Sequence, residues 1–216
     1  MEIRKYLHSC IAAEEGGKRL LIDPGLFSFI EGKLTPEAIG AVDVILITHQ
    51  HDDHYYPDAL KAFTRLGKTR IVADEETGAL LAKEGVRAET IGAGETKDIA
   101  GFSVKAFRVE HGPILGKLPL NLAYLVNKTF LHPGDSFAVP PLEFSGTLAL
   151  PIAGPWALRT EALAFAKRVR SRQVIPVHDA MLKEWFLTRM YETCANRLAS
   201  DHISFHPLGV GEALTV

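Results

Sequence analysis

The chain has 216 residues, of which 47% are hydrophobic and 23% are charged, and its formal net charge is −2. This length suits one globular domain that needs no disulfides, and the composition excludes a disordered, collagen-like or disulfide-rich chain. The near-neutral charge argues against a general nucleic-acid-binding protein, because such proteins are strongly basic. We therefore expect residues 1–216 to form a single domain.

The cysteines and the apolar segments indicate a compartment. Cys10 and Cys194 are far apart and neither has a second cysteine at metal-binding spacing, so we expect two reduced thiols. The N-terminal residues lack the apolar segment of a signal peptide. The longest uncharged stretch, residues 144–158, contains prolines and glycines and is too short to span a bilayer. We expect a cytoplasmic protein without a membrane partner.

The predicted elements alternate between strands and helices along the chain. In chain order, we predict strands over 3–7, 10–14 and 19–23, a strand over 44–48, a helix over 56–66, a strand over 70–73, a helix over 75–83, a strand over 102–109, a hairpin over 121–131, a strand over 147–150, a helix over 161–170, a strand over 174–177 and a helix over 180–198. Strands interleaved with helices predict a layered α/β fold with helices outside the sheets.

One short run concentrates the polar side chains that could carry chemistry. The segment His49-Gln50-His51-Asp52-Asp53-His54 directly follows the apolar run 44–48. Burying three imidazoles and two carboxylates without partners would be costly, so the segment is either a metal site or a solvated loop. On an extended loop His49 and His51 can face one ion, while Asp53 and His54 begin the next turn and can face a second. Imidazole with carboxylate suits zinc, manganese or iron.

Four further polar residues come just after predicted apolar strands. They are Asp23, His111, Asp135 and His178. In layered α/β proteins, sites form where the loops at strand ends converge. A lone histidine after a strand is usually an ordinary surface residue, but the shared position and the nearby histidine cluster favour a common site here.

These motifs together resemble those of the metallo-β-lactamase fold hydrolases. The run from His49 to His54 matches the H-x-H-x-D-H signature of that superfamily, and His111, the Gly134-Asp135 pair and His178 follow in the family's order. Leu21-Ile22-Asp23-Pro24-Gly25 resembles its first motif. The segments 7–10, 150–154 and 174–178 are similar to the UlaG-like branch, which includes ascorbate-6-phosphate lactonases. The segment 154–159, which contains Trp156, departs from that branch's Gly-rich turn.

The resemblance implies a four-layer αββα sandwich and a site with two divalent metal ions. His49, His51 and His111 would hold the first ion, and Asp53, His54 and His178 the second, with Asp135 bridging both and acting with Asp53 in catalysis. Asp23 would fix the histidine loop by hydrogen bonds. Zinc is the expected metal, with manganese and iron as alternatives. A metal-bridging hydroxide would then attack the substrate.

We expect a small, anionic substrate, because the predicted helix near Pro57 turns its positive end toward the site. Phe27 and Trp156 could line its pocket or serve as core, and Lys117 and Arg159 could bind its anionic group or stay solvated. His8 is expected to make a structural hydrogen bond. The apolar stripe of residues 180–198 fits either the core or a contact in a homo-oligomer.

The reaction itself stays open between several alternatives. The scissile bond could belong to an ester, a lactone, an amide or a phosphodiester. A nuclease or cyclic-nucleotide-type phosphodiesterase is the second hypothesis, although the short intervals between His111, Asp135 and His178 leave no space for the extra domain of large nuclease relatives. A redox diiron protein and a binding protein without catalysis are further alternatives, weakened respectively by the chain's length and by its complete ligand set.

Overall fold

The computed structural model describes all residues, 1–216. The strands are β1 (Glu2–Lys5), β2 (Ile11–Glu15), β3 (Lys18–Ile22), β4 (Val44–Leu46), β5 (Arg70–Ala73), β6 (Glu89–Thr90), β7 (Thr96–Ile99), β8 (Phe102–Val109), β9 (Asn121–Val126), β10 (Phe130–His132), β11 (Thr147–Pro151), β12 (Gln173–Val177), β13 (Ser204–Phe205) and β14 (Ala213–Thr215). The helices are α1 (Pro36–Ile39), α2 (Pro57–Leu66), α3 (Glu75–Lys83), α4 (Arg159–Arg168) and α5 (Glu184–Ala199), with a 3-10 helix at Leu26–Ser28.

The strands form two seven-stranded mixed sheets. The first has the order β14-β1-β2-β3-β4-β5-β6 and the second the order β13-β12-β11-β10-β9-β8-β7. Strands β3 to β6 run parallel to one another, as do β10 to β13, while the remaining pairs are antiparallel. The parallel strands require crossover connections, which the helices and long loops supply.

Three apolar layers hold this arrangement together. One core lies between the sheets and includes Ile22, Leu46, Tyr124 and Ile175. A second core packs the outer face of the second sheet against α4 and α5, and a third packs the outer face of the first sheet against α2 and α3. Because both faces of each sheet are covered, β4, β9 and β11 are buried along their whole lengths. The predicted four-layer αββα sandwich is confirmed.

The long C-terminal helix differs from the sequence-based prediction. It begins at Glu184 rather than at residue 180, because residues before it form a turn in which the Leu182 amide donates to the Asp179 carbonyl. The apolar stripe is therefore divided. Met190 and Leu198 are in the core, whereas the Trp185 side chain is 64% exposed.

Short elements escape the sequence patterns. Helix α1 is one turn long, too short for a hydrophobic period, and is held by the Thr35 hydroxyl, which accepts from the Ala38 amide, and by Pro36 at its first position. The edge strand β14 forms only because β1 offers it a free edge. None of the helices combines the length and the apolar character that a membrane span requires.

Candidate metal centre

The polar residues predicted from the sequence meet at one edge of the two sheets. Asp23 follows β3, the histidine loop follows β4, and Asp135 and His178 follow β10 and β12. The carboxyl ends of neighbouring parallel strands lie at the same edge of a sheet, which is why loops distant in the chain converge here. His111 joins them from the end of β8.

The side chains form two clusters of potential metal ligands, within each of which the ligand atoms lie within 4.8 Å of one another. The first cluster comprises His49, His51, His111 and Asp135, and the second comprises His8, Asp53, His54 and His178. All seven ligands predicted from the sequence are therefore brought together, and His8 is an addition. Each cluster combines residues of both sheets.

Asp23 fixes the conformation of the histidine loop, residues 48–54, through hydrogen bonds. Its carboxylate accepts hydrogen bonds from the Thr48 amide at 2.8 Å and from the Thr48 hydroxyl at 2.7 Å. The same carboxylate lies 2.7 Å from Nδ1 of His54, so Nδ1 carries the proton and Nε2 is directed into the site. Gly25 presses against the loop, because a Cβ there would lie 1.9 Å from the Asp53 carbonyl oxygen. Only glycine permits this approach.

A tight turn directs Asp135 into the site. Gly134 has a φ of +59°, and a Cβ at this position would lie 2.3 Å from Oδ1 of Asn121. That oxygen accepts a hydrogen bond from the Asp135 amide at 3.2 Å, and the Asn121 amide group donates to the Pro133 carbonyl. Glycine is required here by both backbone conformation and space, so the turn holds the following carboxylate between the two clusters.

Asp135 faces histidines of both clusters. Its Oδ1 lies 3.0 Å from Nε2 of His54, and its Oδ2 lies 3.1 Å from Nε2 of His178 and 3.6 Å from Nε2 of His111. Asp53 completes the arrangement, with its Oδ2 at 3.2 Å from Nε2 of His178. Two carboxylates thus lie among imidazole nitrogens that come from four loops.

The unpaired polar atoms of the site fit divalent cations. Nε2 of His54, of His111 and of His178, together with Oδ1 of Asp135, are buried and make no hydrogen bond. Buried polar atoms without partners are rare in proteins, and here their lone pairs converge. Ligand atoms held about 2.0–2.1 Å from a tetrahedral zinc ion are roughly 3.3 Å apart, which agrees with the separations of 3.0–3.6 Å found here. These residues therefore fit bound divalent metal.

The imidazoles and carboxylates shift one another's pKa values. Burial lowers the pKa of His178, but the carboxylates of Asp135 and Asp53 together outweigh it and raise this pKa to about 9. Burial also lowers the pKa of His54, which Asp135 and Asp53 then bring well above its ordinary value. For Asp135, burial raises the pKa, but the positive charges of His54 and His178 hold it well below its ordinary range. Bound cations would replace these protons as the balancing charge.

Two small cavities open beside His111. One, of about 360 Å³, is lined by Trp156, Phe137 and Leu118, and the other, of about 340 Å³, contains Lys117 at its rim. The Lys117 side chain is 84% exposed, with its Nζ 3.5 Å from the Glu76 carboxylate. It can therefore move toward an anion in the cavity at little cost.

The remaining two predicted pocket residues lie elsewhere. The Phe27 ring packs against His8, with 5.1 Å between ring centroids, and lines a separate apolar cavity of about 850 Å³ rather than the two cavities beside His111. Arg159 begins α4, where no hydrogen bond or ion pair joins it to the clusters. Burial raises the pKa of the Cys194 thiol, and the charge of Arg159 partly offsets that rise. The structure thus gives Arg159 no contact that supports a place in the substrate pocket.

The structure confirms the expected hydrogen bond of His8 and gives two residues contacts in the site beyond those expected from the sequence. His8 is fully buried, its Nε2 lies 3.1 Å from Oδ2 of Asp53, and its ring packs 4.1 Å from that of His178. Its position after the first strand was the available signal. Trp156 was expected as a pocket wall or as a core residue, and its Nε1 also donates a 2.9 Å hydrogen bond to Oδ2 of Asp135. No sequence spacing announces that contact.

Comparisons with known proteins agree on one family. The model of the beta-lactamase superfamily domain matches residues 2–178. Protein Rv0786c of Mycobacterium tuberculosis is 34% identical over 192 residues, which cover 84% of this chain and 85% of that protein. A UPF0173 metal-dependent hydrolase of Pyrococcus abyssi is 29% identical over 189 residues, covering 81% and 83%. Igni18, a metallo hydrolase of Ignicoccus hospitalis, has a similar fold, with a TM-score of 0.76 at 20% identity, covering 99% and 97%.

Proposed function

The chain belongs to the beta-lactamase superfamily, and we propose that it is a hydrolase that depends on two divalent metal ions. The substrate is a small anionic ester, lactone or phosphodiester. The proposal rests above all on Asp135, whose two oxygens face histidines of both ligand clusters. Similarity to proteins named metal-dependent hydrolases supports the same class of reaction.

The proposed ligands divide between the two ions along the clusters. His49, His51 and His111 hold one ion, Asp53, His54 and His178 hold the other, and Asp135 bridges them. All donors are imidazole or carboxylate, so zinc is the expected metal, with manganese and iron as alternatives. When bound, such a pair acidifies a shared water toward a pKa of roughly 7 and neutralises charge that develops on the attacked group.

The protein's own side chains supply position and proton control. Burial would raise the pKa of Asp53, but the positive charges of His54 and His178 and a hydrogen bond from His8 hold it well below its ordinary range. Its carboxylate therefore stays ionised and can orient an attacking water by accepting its proton in a hydrogen bond. Asp23 keeps Nε2 of His54 directed into the site. No serine or cysteine belongs to the clusters, so the reaction needs no covalent intermediate.

The charge of the loaded site favours an anionic substrate. Two divalent ions outweigh the carboxylates of Asp53 and Asp135, while the histidines add no negative charge. Helix α2 begins at Pro57, three residues after His54, and its N-terminus adds partial positive charge. Arg108 and Lys117 line the cavity of about 340 Å³ beside His111. An anionic group in this cavity would lie close to the positive side chains of Arg108 and Lys117.

Membership of the UlaG-like branch is the finer part of the proposal. The segments 7–10, 150–154 and 174–178 support it, because they resemble the branch's pattern and contribute His8 and His178 to the site. Lactone or ester hydrolysis is accordingly the favoured reaction, and phosphodiester hydrolysis is the alternative.

The test compares substrates on protein whose metal content is known. Separate preparations loaded with zinc or manganese are assayed on a set of lactones and esters and on a chromogenic phosphodiester. We expect Asp135→Ala to lose at least about 10³-fold in kcat/KM, because several kcal/mol of transition-state stabilisation by the ions depends on this ligand. The matched control is Asp52→Ala, since Asp52 is an exposed carboxylate of the same loop that belongs to neither cluster.

Each outcome decides between the alternatives. Lactone or ester turnover that Asp135→Ala abolishes and Asp52→Ala retains supports the proposed reaction. Phosphodiester turnover with the same dependence supports the phosphodiesterase alternative. Wild-type protein that binds two ions per chain and hydrolyses none of these substrates would leave a redox or binding role as the better explanation.

A further inference from the structure

Trp156 is an unusual neighbour for a metal-bridging carboxylate. Its side chain is buried and its Nε1 donates to Oδ2 of Asp135 at 2.9 Å. Its ring lies between the two clusters, with centroids 6.0 Å from that of His111 and 5.9 Å from that of His178. One indole therefore contacts a histidine of each cluster and the carboxylate between them.

The surrounding backbone makes room for this ring. A Cβ at Gly112 would lie 2.3 Å from ring atom Cε3 of Trp156, and a Cβ at Gly154 would lie 3.1 Å from its Nε1. Side chains at either position would push the indole away from the carboxylate. The Gly112 amide in turn donates to the Asp135 carbonyl at 2.8 Å, which ties this segment to the same residue.

We propose that Trp156 is a positioning residue of the metal centre, whose indole N–H fixes the Asp135 carboxylate so that its oxygens face both clusters. The hydrogen bond occupies one side of Oδ2, which leaves Oδ1 facing Nε2 of His54 at 3.0 Å. Without it, the carboxylate can rotate about its last side-chain torsion, which is broad for aspartate. This inference rests on the proposed two-metal site.

The chemistry of the indole suits this role better than other donors. Arginine or lysine would bring a positive charge that repels the ions, and histidine would compete as a ligand. Asparagine and glutamine carry an oxygen that could also bind metal. The indole N–H donates one hydrogen bond, has no acceptor and carries no charge. Groups that orient metal ligands in this way typically account for 10–100-fold in metal affinity.

The experiment uses the fact that the chain has two tryptophans. Trp185 is 64% exposed, and its ring packs on Phe186 rather than on a residue of either cluster. Trp185→Phe therefore leaves Trp156 as the sole indole. Metal-free Trp185→Phe protein is titrated with Co²⁺, following indole fluorescence and the visible absorption of the bound ion. We expect quenching that saturates with the absorption signal, and an indole N–H resonance that exchanges slowly with solvent and shifts on metal binding.

A variant series then separates the hydrogen bond from packing. Trp156→Phe keeps an aromatic ring but removes the donor, and we expect it to weaken binding of Co²⁺ about 10–100-fold and to change the absorption spectrum. Phe137→Leu is the matched control, because Phe137 packs against the indole with 5.0 Å between ring centroids but offers no side-chain hydrogen-bond donor to Asp135. We expect Phe137→Leu to retain wild-type affinity and spectrum.

Two results would overturn this inference alone. Equal losses in Trp156→Phe and Phe137→Leu would assign the indole to packing alone. An indole resonance in folded Trp185→Phe protein that exchanges as fast as an exposed one would refute the hydrogen bond even if Trp156→Phe failed to fold. These measurements follow metal binding and not turnover, so the inference can fail while the hydrolase proposal stands. Failure of Trp185→Phe to bind Co²⁺ at all would refute both.

Discussion

Two buried polar clusters lie on either side of the loop after β12, and they differ in how their charges are balanced. On one side, the ammonium group of Lys5 pairs with the carboxylate of Asp179, and the Tyr191 hydroxyl donates to that carboxylate at 2.6 Å. On the other side, His178 belongs to the metal-ligand clusters, where several buried atoms have no partner. The charges of the Lys5–Asp179 cluster are balanced by protein groups alone, whereas the buried ligand atoms around His178 could be balanced by bound cations.

The two clusters are adjacent because consecutive residues, His178 and Asp179, belong to different ones. His178 faces the ligands and Asp179 faces Lys5, so the ion pair fixes the loop from behind. The His178 amide also donates to the His8 carbonyl at 3.1 Å. Burial and the Asp179 carboxylate raise the pKa of Tyr191, which keeps its hydroxyl protonated as a donor. A buried ion pair thus supports the loop that carries a candidate metal ligand.

Removing metal should cause the largest change in the free energy of unfolding, through the ligand clusters rather than the Lys5–Asp179 pair. Ligand present at 1,000 times its Kd stabilises a folded protein by about 4 kcal/mol per site, so we expect chelation to lower the unfolding free energy by up to roughly twice that amount. The measurement is denaturant unfolding of the same preparation with and without chelator. Unfolding midpoints that do not differ would contradict a two-metal site in the folded state.

Lys5→Met should break the Lys5–Asp179 cluster and leave the ligands intact. The side chains of Lys5 and Asp179 are 5% and 4% exposed, so the variant leaves a buried carboxylate without its cation, which costs about 3–5 kcal/mol. Denaturant unfolding should give a similar loss in metal-free and metal-loaded protein.

Two variants control for this result. Lys18→Met removes a lysine whose side chain is 54% exposed in an ion pair with Asp43, and we expect a change of about 0–1 kcal/mol. Replacing both buried partners, as in Lys5→Met with Asp179→Leu, should recover much of the loss. A Lys5→Met protein as stable as Lys18→Met would show that the buried pair does not support the fold.

Asp23→Asn is the smallest of these perturbations. Asparagine keeps the volume but turns a donor toward the Thr48 hydroxyl or toward Nδ1 of His54. We expect metal affinity to fall about 10–100-fold, as for other residues that orient a ligand. Isothermal titration with zinc measures the change, and Asp52→Asn on the neighbouring exposed carboxylate is the control. Equal affinities for Asp23→Asn and wild type would show that His54 needs no fixed orientation.

The residues of each cluster could be predicted only in part from the sequence. The density of histidine and aspartate in residues 49–54 indicates those ligands. Asp135 and His178 are indicated by their positions after apolar strands. Lys5 and Asp179 form their pair across 174 residues of chain, with no local pattern to indicate it. The same limit applies to α5, whose start is set by the turn at Asp179 rather than by its apolar period.

Backbone conformation explains the contacts of the site that the sequence pattern does not indicate. His8 and His178 have φ values of +58° and +62°, in a region that few residues other than glycine adopt. These two backbone conformations bring the rings together, and a sequence pattern does not report them. The hydrogen bond of Trp156 likewise depends on the space left by Gly112 and Gly154. Periodicity and motif order predict layers and ligands, but loop conformation decides what touches them.

The division of the ligands between the sheets has a mechanical consequence. Strands β1 to β6 end at Thr90 and β7 begins at Thr96, so the main part of each sheet comes from one contiguous half of the chain. Each cluster contains ligands from both halves, so an ion bound there would link the two halves. A chain nicked within residues 91–95 should then stay associated more tightly with metal than without it. The ions would thus regulate how readily the two halves separate as well as supplying the chemistry between them.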